Sequence, residues 1–199
     1  LAWFTTFLMG FQAWLGATVV YSVLAPVRIT LHMVVALLIV AVILYILYLA
    51  GEKYTSKKYL ASFRNLVIFS AVLTLIQVVL GTEVRQFVDL QVKQLGYEKS
   101  LWLEDPNLQF YIHRSFSFLV LFVNLLIWWK NKKHHLGYSL TNWVIVLILA
   151  EIATGILMYY LDFPFSTQAL HLVIASVLFG VQYYLILQTN KAKIQLKKA

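Results

Sequence analysis

Residues 31–50 read LHMVVALLIVAVILYILYLA. Apart from His32 the stretch holds no ionisable side chain other than its tyrosines. A helix of about 20 apolar residues crosses the hydrocarbon core of a bilayer. The run is continuous rather than alternating, so it reads as a helix and not as a barrel strand. The same pattern recurs along the chain. Of 199 residues, 61% are hydrophobic and 12% charged, and the mean hydropathy is +0.79, which excludes an ordinary soluble domain. The expected fold is therefore all-α, a polytopic membrane helix bundle in which helices satisfy the backbone polar groups.

Six apolar segments are legible, at about 2–24, 27–50, 66–88, 108–129, 140–161 and 165–187. Pro26 suits the first turn of the second. The loops between them divide by charge. The loop after residue 50, the loop after residue 129 and the C-terminal tail hold eleven of the sixteen Lys and Arg with a single acid, Glu52. The other face holds Arg28, Arg85, Lys93, Lys99 and Arg114 with six acids. The positive-inside rule places the basic loops and both visible ends in the cytoplasm, with Trp128 and Trp129 in an inner aromatic belt. The net charge of +8 follows from topology, so nucleic acid is not expected as a partner. With no cysteine, disulfides, thiolate metal sites and thiol catalysis are excluded. The chain enters its first apolar segment at Leu1 without a charged leader, so no signal peptide is read there.

The segments pair into three hairpins that repeat a pattern. The first segment of each carries a polar residue four before a glycine: Gln12 and Gly16, Gln77 and Gly81, Glu151 and Gly155. The second carries a histidine near its outer end: His32, His113 and His171. Two settings are near-copies, LHMVVA at 31–36 and LHLVIA at 170–175. Glycine to histidine spans 16 residues in the first and last hairpins and 32 in the middle one, where a long outer loop intervenes. Ionisable residues within membrane segments are costly and mark functional candidates. The residues alone leave several readings open: interhelical hydrogen bonding, interfacial anchoring, a proton relay, a bare metal ion, or haem, which needs only two axial ligands from facing helices. Phe110, Tyr111, Phe116, Phe118, Tyr159 and Tyr160 are close enough in sequence to cover a flat ring. Arg28, four before His32, Arg114, next to His113, and Arg85, four after Gly81, suit carboxylates at the outer surface. Glu151 is expected to face the bundle, protonated or hydrogen-bonded; a catalytic or proton-relay role stays open, but Gln12 and Gln77 at the matching positions favour a structural hydrogen bond. His134 and His135 read as surface residues of a basic loop.

FQAWLGATVVYSVLAPVRITLH at 11–32, VVLGTEVRQFVD at 78–89, the pair His113–Arg114 and the stretch from Gly155 to His171 resemble the heme A synthase family. The resemblance implies eight helices in two four-helix halves, each placing a histidine pair around a haem. It implies oxidation of the ring methyl of heme O to the formyl of heme A for cytochrome oxidase. Carried onto this chain, residues 1–50 match the second hairpin of the first half, 51–65 a cytoplasmic loop, 66–188 the haem-binding second half, and 189–199 a basic tail. His113 and His171, with Arg114 beside them, then correspond to the ligands of a haem b cofactor. His32, with Arg28, corresponds to one side of the site for substrate heme O. The opposing ligand and the family's proposed catalytic glutamate belong to a first hairpin that this stretch does not contain. Phe110 stands where the second half would need that acid. Partners implied are heme O and heme A, heme O synthase, an electron donor, membrane lipid and a second copy of the chain. The implied place is a bacterial-type cytoplasmic membrane, with the haem sites toward its outer face. The alternatives are a non-catalytic membrane cytochrome b and an assembly subunit without cofactor.

Overall fold

The computed structural model describes residues 1–21, 26–51 and 55–197. Among them lie six α-helices, all long and apolar enough to cross a membrane, and no strand. They are α1 (Ala2–Tyr21), α2 (Pro26–Ala50), α3 (Ala61–Leu95), α4 (Leu108–Lys133), α5 (Leu140–Tyr160) and α6 (Thr167–Leu196). The protein is an integral membrane helix bundle, as its hydropathy requires. The expected end of the first segment at Leu24, the loop residues Glu52 and Lys53, and Lys198 of the tail lie outside the described residues.

Several helices run beyond their apolar segments. α3 continues through Asp89 and Lys93, α4 through Lys130, Lys132 and Lys133, and α6 through Lys191 and Lys193, positions expected in loops or tail. At 1.5 Å per residue the 35 residues of α3 extend about 52 Å, well past a hydrocarbon core of about 30 Å. Hydropathy marks only the part inside lipid, so the polar turns beyond it escape notice. One of those turns is held by Arg85 Nε donating to Asp89 Oδ1 at 2.8 Å, a pair four residues apart. α6 starts later than expected, at Thr167, because Ser166 adopts a left-handed φ of 66° that no helix continues.

α3, α4, α5 and α6 pack around a ring, each against the next and α6 back against α3. α4 and α6 occupy opposite corners. The core of this ring gathers Phe63, Val67, Leu73, Val120, Val123, Ile127, Val144, Ile148, Leu178 and Leu185. α2 docks outside the ring against α6 and α3, through Leu37, Ala41 and Phe179. Gly180 permits that approach, since a Cβ there would meet Val40 Cγ1 at 3.3 Å. Thr30 and Thr82 hydroxyls, 2.7 Å apart, tie α2 to α3. α1 packs on α2 alone among the described helices.

Inside the ring sits a polar layer. Ser70 Oγ donates to Asn124 Oδ1 at 2.9 Å, and Gln182 Nε2 donates to Ser70 Oγ at 2.9 Å. All three are at most 3% exposed. Ser70 lies eleven residues from Gly81, Asn124 eleven from His113 and Gln182 eleven from His171. Eleven residues is three helical turns, so the layer shares helix faces with the histidine level about 16 Å away. At the basic end, Tyr138 is fully buried, stacks on Phe63 with ring centres 4.9 Å apart, and donates its hydroxyl to the Lys58 carbonyl at 3.1 Å. Burial pushes this phenol up to about 12, with Tyr59 adding to the rise.

Removing one member of the polar layer orphans the others inside a low-dielectric core. Asn124→Ala is expected to lower stability in detergent by about 1–3 kcal/mol, whereas Ser117→Ala on a partly open surface stays within about 0.5 kcal/mol. Parallel denaturation curves compare the two. Tyr138 holds its proton more tightly folded than unfolded, so its contribution is complete below about pH 10 and is lost as pH rises through about 12. Thermal unfolding between these limits should fall more steeply for the wild type than for Tyr138→Phe.

Candidate functional site

Each imidazole is seated against the glycine of the preceding helix. A Cβ on Gly16 would meet His32 Cε1 at 3.2 Å, one on Gly81 would meet His113 Cε1 at 3.2 Å, and one on Gly155 would meet His171 Cε1 at 4.0 Å. The polar residue one turn before each glycine also faces its histidine. Gln12 Nε2 donates to the His32 carbonyl at 3.0 Å and lies 3.3 Å from His32 Nε2. Gln77 Nε2 donates to the His113 carbonyl at 3.0 Å. Glu151 has no hydrogen to donate when ionised. Its Oε2 instead lies 3.1 Å from His171 Nδ1, where the Thr154 hydroxyl also sits at 2.8 Å.

The three histidines are not equivalent. His113 on α4 and His171 on α6 face each other across the ring, with ring centres 6.4 Å apart and planes inclined by 70°. Their helices make no direct backbone approach, so the two imidazoles bridge a gap between opposite corners. Asn107 caps α4 by accepting from the Phe110 N–H at 3.1 Å, which fixes the turn that carries His113. His32 lies outside the ring on α2, with α1 behind it. Its Nε2 is engaged by Gln12, while its Nδ1 and that of His113 are buried without partners.

The arginines divide similarly. Arg114 is exposed and lies over the rings of Phe110 and Tyr111, at 5.8 and 5.3 Å from their centres. Arg28 donates to the Thr18 carbonyl at 3.1 Å. Arg85 bonds Asp89 and reaches Gln168 Oε1 at 3.4 Å, within one turn of His171. Of the aromatic residues expected nearby, Phe110 stacks on Tyr159 at 5.4 Å, Phe116 packs on the ring's core, and Phe118 is 62% exposed. His134 and His135 are exposed beyond the basic end of α4, far from the histidine level.

Two contributors were not singled out from sequence. Thr154 is buried, one turn after Glu151 on the same helix face, and that i, i+3 spacing is the signal that could have found it. The second is the loop between α3 and α4. Trp102 packs on Phe163 at 5.4 Å and donates its indole N–H to the Gly96 carbonyl at 3.1 Å. Lys99 Nζ donates to the Phe163 carbonyl at 3.0 Å. These contacts, with Val88, form an ordered cap over the α5–α6 turn.

The model of the COX15-CtaA family, cytochrome oxidase assembly protein, matches residues 1–183. The chain belongs to that family. No curated protein and no solved structure matches it. Membership ties the chain to cytochrome oxidase assembly and gives the six-helix bundle a family context. Within that context the donor set can be tested against haem. A metal–imidazole bond of about 2.0–2.1 Å on each side of one ion sets ring centres roughly 6–6.5 Å apart. The 6.4 Å between His113 and His171 fits that span. Among the described residues no cluster of three or more His, Asp or Glu forms a metal cage. Two imidazoles without further ligands suit an iron that brings its own equatorial nitrogens, and suit a bare zinc ion poorly.

The glycine seats yield a graded expectation. Gly81→Ala forces the His113 ring away by a few tenths of an ångström and should cost about 1–3 kcal/mol, as should Gly16→Ala at His32. Gly155→Ala meets only ordinary contact and should stay within about 0.5 kcal/mol. Denaturation of the three variants in one detergent measures the order.

Proposed function

We propose that the protein is a heme A synthase-type oxidoreductase, holding haem b between His113 and His171 and substrate heme O at His32. The observation that carries the reading is the 6.4 Å pairing of His113 and His171 across opposite corners of the ring, in a chain of a cytochrome oxidase assembly family. Haem b supplies one-electron redox chemistry when bound. The chain's own residues do the rest. His113 and His171 offer one nitrogen each and fix the plane of the site by their glycine seats. Arg114, stacked on Phe110 and Tyr111 at the outer rim, is placed to pair a propionate. Phe110 and Tyr159 wall the site on one side and exclude water. The cap built on Trp102 closes its outer end.

In this reading His32, with Arg28 nearby, holds heme O while its methyl group is hydroxylated twice and loses water to give the formyl of heme A; dioxygen from outside the chain would be the oxidant, and the electron donor would supply the electrons that reduce its second oxygen atom to water. For His32 to ligate, the Gln12 amide must release its ring nitrogen and keep only the main-chain bond. The other two histidines of the chain are at the far end, so a ligand opposite His32 comes from outside the described residues. The basic end faces the cytoplasm and the haem level lies toward the outer face, by the loop charges. Heme O synthase and an electron donor are the expected partners.

The test is extraction and chromatographic separation of the haems carried by protein purified from a host that accumulates heme O. The wild type should carry haem b together with heme O or heme A. His113→Ala and His171→Ala should each lose haem b, and His32→Ala should keep haem b but lose heme O and heme A. A preparation free of haem, or haem b retained in both ring variants, contradicts the proposal. Haem b alone, with no heme O or A in any host, would instead favour a membrane cytochrome b.

A further inference from the structure

The repeat places a glutamine, a glutamine and a glutamate at matching positions, and the exception lies on one side of the histidine pair. Gln12 and Gln77 donate an amide hydrogen to the carbonyl of the histidine across from them. Glu151 is turned to the ring of His171 instead. The Thr154 hydroxyl is within 3.0 Å of the Ala150 and Glu151 carbonyls, which can take its hydrogen and leave its oxygen to accept from Nδ1. Two oxygens then meet one ring nitrogen, at 2.8 and 3.1 Å. With Nε2 given to a ligand, the hydrogen of His171 lies on Nδ1, where both oxygens stand within reach to accept it. On His113 the corresponding Nδ1 is buried and has no partner.

We propose that Glu151, beside Thr154 and acting on the Nδ1–H of His171, is a positioning residue that makes the two ring-facing imidazoles unequal ligands. A carboxylate accepting from the distal N–H fixes a ligand's tautomer and orientation and raises its donor strength. His171 is the strong donor of the pair and His113 the weak one. The stronger donor stabilises ferric over ferrous iron, so Glu151 holds the haem at a lower potential than two unassisted imidazoles would. The inference rests on the haem reading above, but its argument uses only the geometry around His171. It also gives the third hairpin's departure from glutamine a role: an amide there would bond the main chain, as in the other two, and set no carboxyl beside Nδ1.

The experiment is an equilibrium redox titration of the haem-loaded full chain, followed by its optical bands, in wild type, Glu151→Gln and Gln77→Glu. Both substitutions nearly conserve volume. Glu151→Gln should shift the ferrous-to-ferric ratio at a fixed potential about tenfold toward ferrous, which for one electron is about 59 mV upward. Gln77→Glu places a carboxylate beside the unpartnered Nδ1 of His113 and should shift the ratio the other way. A merely structural Glu151 would change haem retention or stability and leave the potential where it was; that result, with haem bound, overturns the inference alone. Absence of haem from the wild type overturns the haem reading and this inference with it. If Glu151→Gln fails to load haem, an unmoved potential in Gln77→Glu is decisive against the proposal.

Discussion

The constraint on which the structure depends is the seating of an imidazole against a glycine of the neighbouring helix. A Cβ at Gly81 would press on the His113 ring at 3.2 Å and displace it by a few tenths of an ångström. The same contact at Gly16 and His32 shows that it is a unit, repeated by hairpin, and not a local accident. Each seat brings two backbones close, where small residues replace bulk and van der Waals contact replaces hydrophobic drive. At His113 and His171 it also turns Nδ1 into the protein.

Around that interaction the bundle separates its tasks by depth. The histidine level lies near one end. About 16 Å away, Ser70, Asn124 and Gln182 form a hydrogen-bonded layer on the same helix faces. The layer links α3, α4 and α6, so it holds the two histidine-bearing helices at a set spacing without touching the site. At the far end, buried Tyr138 anchors the basic turn to the Lys58 backbone. The outer loop, closed by Trp102 on Phe163, finishes the opposite end. Among the described residues, the hairpin of α1 and α2 docks on the ring through α2 only, and no second histidine faces His32.

Much of this was legible in the residues. Continuous apolar runs announce six membrane helices, because burying a helix in lipid demands apolar side chains all round. The recurrence of polar residue, glycine and histidine marked the positions that the structure brings into contact. The helix ends were not legible, since turns such as Arg85 to Asp89 lie past the lipid and obey charge pairing instead of hydropathy. Glu151 was read with Gln12 and Gln77 as a structural hydrogen bond by position. The difference is geometric: the glutamine amides reach the carbonyl of the histidine across from them, whereas the Glu151 carboxyl lies against the His171 ring nitrogen. Thr154 escaped notice because a threonine in a membrane helix ordinarily bonds its own carbonyls, which it also does here.

The central claim is that His113 and His171 share one iron. Low-temperature electron paramagnetic resonance of the oxidised protein tests it most directly. The account predicts one low-spin ferric signal of a haem with two imidazole ligands, converted to a high-spin signal or lost in His113→Ala and in His171→Ala alike, and retained in His32→Ala. A low-spin signal that survives either ring substitution, or that disappears with His32 instead, would contradict it.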